Sequence, residues 1–133
     1  MEPKILYIED SILNLRLVKK FLELGGFNNM IEALDGLSGV ELALEAKPDL
    51  ILMDINLPDI DGWEATRRIK ATPDLAKIPI VAVTANTSLD DRRRCFEAGC
   101  QGFLAKPMTK NELLDTVRTF LQLPTETSDT AQV

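Results

Sequence analysis

Short apolar runs alternate with amphipathic stretches along nearly the whole chain, and this alternation restricts the fold more than any other feature. Five runs have the length and composition of β-strands, and they begin at Ile5, Met30, Leu50, Ile80 and Gly102. A segment that favours a helix follows each run. This order of elements predicts an α/β fold in which five helices cover a five-stranded parallel sheet with right-handed crossovers.

Capping residues predict where several of these helices begin and end. The first helix is expected to stop at Gly25–Gly26, after apolar residues at helical spacing: Leu13, Leu17, Val18, Phe21 and Leu22. Ser88 is the predicted N-cap of the fourth helix. Thr109 is the predicted N-cap of the fifth helix, where Glu112 completes a capping box.

The composition excludes several classes of function. The 133 residues suit one domain, which we assign to residues 1–123, and the polar residues 124–133 are predicted to form a flexible tail. The chain has no histidine, so it can carry neither a histidine base nor a phosphohistidine. Its net charge of −6 argues against binding to nucleic acid or to an anionic membrane, since both need a basic face.

The expected location is the cytoplasm. The longest apolar runs fall far short of the roughly 20 residues that cross a bilayer, and no export signal is visible at the N-terminus. Cys95 and Cys100 are too few for a disulfide scaffold. We interpret them as small packing residues, with a redox role as the alternative.

Polar residues stand where four of the five predicted strands end. Glu9 and Asp10 follow the first strand, Asp54 ends the third, Thr84 ends the fourth and Lys106 follows the fifth. Ligands of open parallel sheets bind beyond the carboxyl ends of the strands. We therefore expect three carboxylates, one hydroxyl and one ammonium group to meet at this edge.

These groups together describe a phosphoryl-binding site. Three neighbouring carboxylates repel one another, and a bound Mg²⁺ ion would remove that repulsion. Lys106 and Thr84 could bind a second anion, and Asp54 could act as a nucleophile that forms an aspartyl phosphate. Taken singly, each residue also has a structural interpretation: the acidic residues as helix caps or solvated turns, Thr84 as a strand residue and Lys106 as a surface lysine.

The same residues resemble the receiver domain of response regulators, the phosphoacceptor module of bacterial two-component signalling. The matching segments are residues 5–10, 49–58 with Asp61–Gly62, 80–85 and 98–107. The resemblance covers about residues 3–122 and implies a doubly wound, flavodoxin-like sheet with strand order 2-1-3-4-5. It also implies a signalling switch, with no enzymatic turnover beyond its own phosphorylation and slow dephosphorylation.

Roles for individual residues follow from the resemblance. Asp54 would be the phosphorylated aspartate, and Lys106 would pair with the phosphoryl group. Mg²⁺ would be held by the side chains of Asp10 and Asp54, by the backbone carbonyl of Asn56 and, through a water molecule, by Glu9.

The resemblance also implies a switch. Thr84 would bind a phosphoryl oxygen, and Phe103 would rotate inward as Thr84 moves. The peptide bond before Pro107 would be cis and would aim Lys106. Without the resemblance, Phe103 reads as a core or half-buried strand residue.

The resemblance implies partner proteins as well. The phosphodonor would be a histidine kinase or a phosphotransfer protein, and a downstream target would bind the face formed by the fourth helix, fifth strand and fifth helix. The protein would act as a single-domain regulator of the CheY and DivK type, by switching partner binding or by relaying the phosphoryl group. The cluster Arg92–Arg94 on the fourth helix is either a docking patch or, as we prefer, a solvated face balanced by nearby acidic residues.

Three alternatives remain from the sequence. A phosphatase of the haloacid-dehalogenase type would need an acidic residue two positions after the nucleophile, where this chain has Asn56. A scaffold that is never phosphorylated would not need the intact set of polar residues. The chain could also be a receiver domain taken from a hybrid histidine kinase.

Overall fold

Five parallel strands form a sheet in the computed structural model, which describes residues 2–123. The strands are β1 (Ile5–Ile8), β2 (Met30–Ala33), β3 (Leu50–Asp54), β4 (Ile80–Thr84) and β5 (Gly102–Ala105). The helices are α1 (Ile12–Leu24), α2 (Gly36–Ala46), α3 (Gly62–Lys70), α4 (Leu89–Ala98) and α5 (Lys110–Phe120). The predicted tail, residues 124–133, lies outside the described residues.

The strand order is β2-β1-β3-β4-β5, which confirms the predicted doubly wound topology. The order reverses between β1 and β3, which are direct neighbours in the sheet although β2 lies between them in the chain. A crevice forms at such a reversal, because the helices that follow the two strands pack on opposite faces of the sheet. The site described below lies at this crevice.

Helices cover both faces of the sheet, and alternate strand residues divide the core into two clusters. On one face, Tyr7, Leu52 and Val83 pack with α1 and α5. On the other face, Met53 and Ala82 pack with α2, α3 and α4. Burial on both sides explains why the central strands are apolar without alternation.

The predicted caps are present. The side chain of Ser88 accepts a hydrogen bond from the backbone of α4, and Thr109 and Glu112 form the complete capping box of α5. A short 3-10 turn at Pro73–Leu75 was not predicted from the sequence. Pro73 and Asp74 favour such a turn, but Leu75 is its single buried apolar residue, so no periodic pattern marks it.

The buried face of α1 matches the predicted one only in part, since the predicted Val18 and Leu22 are buried but the predicted Leu13 and Leu17 are not. Leu15, Val18 and Leu22 face the sheet, whereas Leu13 and Leu17 are 76% and 46% exposed. Leu13 and Leu17 form one stripe at helical spacing, and Leu15, Val18 and Leu22 form another, so periodicity alone favours neither stripe. Contact with the sheet and α5 selects the buried set.

Among residues 2–123, the helices are too short or too polar for any of them to cross a membrane.

Candidate phosphoacceptor site

The carboxyl edge of the sheet brings together the five residues predicted from the sequence. Asp54 and Thr84 are the last residues of β3 and β4, so the strand backbone itself directs their side chains to this edge. Glu9 and Asp10 follow β1, and Lys106 follows β5.

Three carboxyl groups form the centre of the site. Oxygen atoms of Glu9, Asp10 and Asp54 lie within 4.8 Å of one another. Glu9 and Asp54 are buried, with 1% and 2% exposure, whereas Asp10 is exposed. The cluster is therefore open to solvent on the Asp10 side, where an ion could enter.

Lys106 is the basic residue of the site. Its Nζ donates to Glu9 Oε1 at 2.7 Å and to Asp54 Oδ1 at 3.3 Å. Both contacts are charge-assisted hydrogen bonds at a half-buried position, where they are stronger than ion pairs on the surface. The peptide bond between Lys106 and Pro107 is cis.

The Glu9 carboxylate has more partners than the sequence predicted. Besides Lys106, its Oε1 accepts a hydrogen bond from the Tyr7 hydroxyl at 2.9 Å and from Asn14 Nδ2 at 3.3 Å. Its Oε2 accepts the backbone N–H of Ser11 at 3.3 Å. Both carboxylate oxygens of Glu9 thus accept protein donors, three on Oε1 and one on Oε2.

Sequence reasoning did not identify Tyr7 and Asn14 as part of the site. In the sequence, Tyr7 lies within the apolar run that begins at Ile5. The sequence nevertheless carried a signal for this contact. Residues two apart on a strand point to the same face, so the Tyr7 hydroxyl is expected beside the Glu9 carboxylate. Asn14, in the first turn of α1, had no comparable signal.

Charge in the cluster is unevenly distributed in the metal-free protein. Burial raises the pKa of the Asp54 carboxyl to about 7, and the nearby Glu9 carboxylate contributes to the rise. Burial also disfavours ionised Glu9, but its hydrogen bonds with Lys106 and Asp54 lower the pKa of Glu9 to about 2. Without a cation, Asp54 is therefore only partly ionised at neutral pH, and Glu9 carries the charge that pairs with Lys106.

Thr84 and Asn56 lie on the α3–α4 side of the site. The Thr84 side chain is buried, and its Oγ1 accepts the backbone N–H of Asn86 at 3.1 Å. The backbone N–H of Asn56 donates to Asp54 Oδ1 at 3.4 Å. Asn56, Thr84, Asn86 and Trp63 all line a cavity of about 140 Å³ beside Asp54.

Each arginine of the Arg92–Arg94 cluster has a partner within the protein. The Arg92 guanidinium lies 5.1 Å from the ring centre of half-buried Phe103, and the Arg94 guanidinium lies 3.9 Å from that of Trp63. Arg93 pairs with Asp90 at 2.6 Å. Only Arg93 therefore fits the preferred interpretation of a face balanced by acidic residues, since Arg92 and Arg94 contact aromatic rings instead.

The donor set fits magnesium. Carboxylate oxygens are the hard ligands that Mg²⁺ prefers, and Mg²⁺ proteins commonly supply one or two carboxylates and leave the other positions to water. The exposed Asp10 and the buried Asp54 satisfy this requirement. The cluster lacks the thiolate and imidazole ligands that favour zinc.

Comparison with known proteins identifies the family. The family model of the response regulator receiver domain matches residues 5–118. The chain belongs to this family. It is thus a receiver domain of two-component signalling, consistent with the acceptance of a phosphoryl group.

Curated relatives and solved structures agree with this assignment. The polar-differentiation response regulator DivK of Brucella anthropi is 36% identical over 121 residues, which cover 91% of this chain and 98% of DivK. The Vibrio cholerae chemotaxis protein CheY4 superposes with a TM-score of 0.85 at 28% identity, covering 90% of this chain and 99% of CheY4.

A third relative is a receiver domain of a sensor histidine kinase. The receiver domain of PA1611 from Pseudomonas aeruginosa superposes with a TM-score of 0.85 at 34% identity, and the alignment covers 92% of this chain and 99% of that domain. Its crystal structure has a magnesium ion coordinated in the active site cleft.

Proposed function

We propose that Asp54 accepts a phosphoryl group from a histidine kinase or a phosphotransfer protein, and that the acceptance switches a partner-binding surface or passes the group along a relay. The observation that supports this most directly is the placement of Asp54. Its buried carboxyl group lies beside two other carboxyl groups and within 3.3 Å of the Lys106 ammonium group.

The residues of the site divide the work of the transfer. An oxygen of Asp54 forms the new bond to phosphorus as the bond between phosphorus and the donor nitrogen breaks. Lys106 neutralises negative charge on the phosphoryl oxygens, and the Thr84 hydroxyl donates to one of them. These three residues position and neutralise the reacting group, and the ionised Asp54 carboxylate attacks phosphorus without a general base to remove a proton from it.

Mg²⁺ would be held by the carboxylates of Asp10 and Asp54 and the backbone carbonyl of Asn56, with Glu9 binding through a water molecule. The bound ion supplies positive charge that offsets the repulsion between the carboxylates and the incoming phosphoryl group. The crystal structure of the PA1611 receiver domain supports a magnesium site in this cleft, because that receiver holds magnesium in its active site cleft.

The proposed output surface consists of α4, β5 and α5. Phe103 on β5 is half-buried and contacts Arg92 of α4, so a change in its packing would alter this surface. Movement of Thr84 toward the phosphoryl group would leave space into which the Phe103 ring can turn. A downstream protein would bind the altered face.

We further propose that the protein is a cytoplasmic regulator of the DivK type, with the receiver as its phosphoacceptor domain. Support comes from DivK, of which the alignment covers 98%. The protein would act as a switch and not as a turnover enzyme. Asn56 supports this, since an amide at that position cannot serve as the general acid of a phosphatase.

Intact mass spectrometry tests the proposal. The protein is incubated with acetyl phosphate, with Mg²⁺ or with a chelator, beside an Asp54→Asn variant. The expected result is the gain of one phosphoryl group that requires Mg²⁺ and is absent in the variant. A protein that gains no mass from acetyl phosphate or from a phosphorylated histidine donor would be a scaffold, and the proposal would be wrong.

A further inference from the structure

We infer that the Tyr7 hydroxyl and the Asn14 amide are positioning residues that hold Glu9 in place when Lys106 leaves it for the phosphoryl group. This inference rests on the proposed function. Its starting point is that one oxygen atom, Glu9 Oε1, accepts from three side chains: Lys106 at 2.7 Å, Tyr7 at 2.9 Å and Asn14 at 3.3 Å.

Lys106 is shared between two acceptors in this structure. Its contact with Glu9 is shorter, at 2.7 Å, than its contact with Asp54, at 3.3 Å. A phosphoryl group on Asp54 would add charged oxygen atoms on the Asp54 side of the ammonium group. Lys106 would then bind the phosphoryl oxygens in preference to Glu9, and Glu9 would lose its shortest hydrogen bond.

Glu9 is too buried for bulk water to replace that bond. Its side chain is buried, and a buried carboxylate that loses a hydrogen-bond donor is destabilised unless another donor takes its place. Tyr7 and Asn14 are the side chains that remain on the same oxygen. The Tyr7 ring is fully buried in the core, so its hydroxyl stays at this position whatever Lys106 does.

The consequence for the site is geometric. Oε1 of Glu9 accepts from three side chains, whereas Oε2 has one partner, the backbone N–H of Ser11. Tyr7 and Asn14 therefore keep Oε2 free to face the water of a metal ion in both states of the switch. Groups that orient a metal ligand in this way commonly change metal affinity by roughly 10- to 100-fold when they are removed.

The experiment measures Mg²⁺ affinity by calorimetry in two states of the protein. One is the free protein, and the other is the protein with beryllofluoride, which mimics a phosphoryl group on a carboxylate. The variants are Tyr7→Phe, Asn14→Ala and the pair combined. Thr66→Val is the matched control, because it removes a buried hydroxyl from the α3 side of the sheet, far from Glu9.

The expected result is a loss of Mg²⁺ affinity that is larger with beryllofluoride than in the free protein. Tyr7→Phe with Asn14→Ala should weaken Mg²⁺ binding about two- to threefold in the free protein, where Lys106 still holds Glu9, and roughly tenfold with beryllofluoride. Thr66→Val should change neither value. In a Lys106→Ala background, the tenfold loss should appear without beryllofluoride.

Two results would overturn the inference. In the first, the variants lose the same Mg²⁺ affinity in both states while the wild-type protein gains a phosphoryl group. Tyr7 and Asn14 would then be only structural, and the proposed function would remain intact. A wild-type protein that binds neither beryllofluoride nor a phosphoryl group would refute the proposed function together with the inference. Asn14→Ala alone replaces a half-buried side chain, so it remains informative if Tyr7→Phe fails to fold.

Discussion

Replacing Asp54 by asparagine should stabilise the metal-free protein although it removes the phosphoacceptor. The variant Asp54→Asn eliminates one of two buried carboxyl groups that lie against each other. Lys106 is not left without a partner, because its shorter contact, at 2.7 Å, is with Glu9. The substitution therefore removes a repulsion without creating an unpaired buried charge.

The size of the effect follows from the pKa of Asp54. Burial, together with the Glu9 carboxylate, raises this pKa from 3.8 to about 7. A rise of that size corresponds to about 4 kcal/mol of unfavourable free energy when Asp54 is fully ionised. That value already contains the favourable contact with Lys106. Asparagine still leaves a buried polar amide in place of the carboxyl group, so we expect a net gain of about 1–2 kcal/mol.

The effect should depend on pH in a defined direction. Because the pKa of Asp54 is higher in the folded state than in the unfolded state, its unfavourable contribution is absent below about pH 4. It grows as the pH rises and is complete above about pH 7. The Asn variant should therefore gain least near pH 4 and most above pH 7.

Urea unfolding with a chelator present, at pH 5.0 and pH 7.5, measures this difference. The control is Asp74→Asn, which removes an exposed carboxylate with a 4.0 Å contact to Lys47 and should change the free energy of unfolding by less than about 0.5 kcal/mol at either pH. A less stable Asp54→Asn protein at pH 7.5, or a gain that is as large at pH 5.0, would refute the reasoning. Excess Mg²⁺ should stabilise the wild type more than the variant, since it binds the wild type more tightly.

Three further predictions concern the surroundings of the site. Gly62→Ala would place a Cβ atom against the backbone oxygen of Asp54, so it should lower the free energy of unfolding by roughly 1–3 kcal/mol and slow phosphoryl acceptance. A normal rate in the mass assay would contradict this. Burial raises the pKa of the Cys95 thiol and raises that of Cys100 to about 12. A thiol reagent at pH 7.5 should therefore label both cysteines only as fast as the protein unfolds, and rapid labelling of the folded protein would contradict this. Thr109→Ala removes the side-chain acceptor of the α5 capping box and should cost about 1 kcal/mol in urea unfolding, while acetyl phosphate still adds one phosphoryl group.

Much of the fold could be predicted because its signals are local. Four of the five strands end in a polar residue or are followed directly by one. Capping residues such as Ser88 and Thr109 act on backbone groups within three positions along the chain. The edge where the polar residues meet could be predicted for the same reason. Parallel strands all present their carboxyl ends on one side, so it suffices to know which residue ends each strand.

The parts that could not be predicted depend on contacts between distant residues. Two stripes of α1 have the same period, and only packing against the sheet and α5 decides that Leu15 is buried and Leu13 exposed. The hydrogen bond between Lys106 and Glu9 joins residues 97 positions apart. Its length relative to the Lys106–Asp54 contact is set by the packing of β1, β3 and β5 and by no local pattern.

The sequence by itself therefore determined the order of elements, the residues that end the strands and the chemical groups available for phosphoryl acceptance. The tertiary structure alone decided how those groups share their hydrogen bonds and protons. The physical reason is that residue type and spacing specify backbone conformation through short-range sterics and hydrogen bonds. The balance among Tyr7, Glu9, Asp54 and Lys106 instead depends on burial and on differences of a few tenths of an ångström between side chains that only the folded sheet brings together.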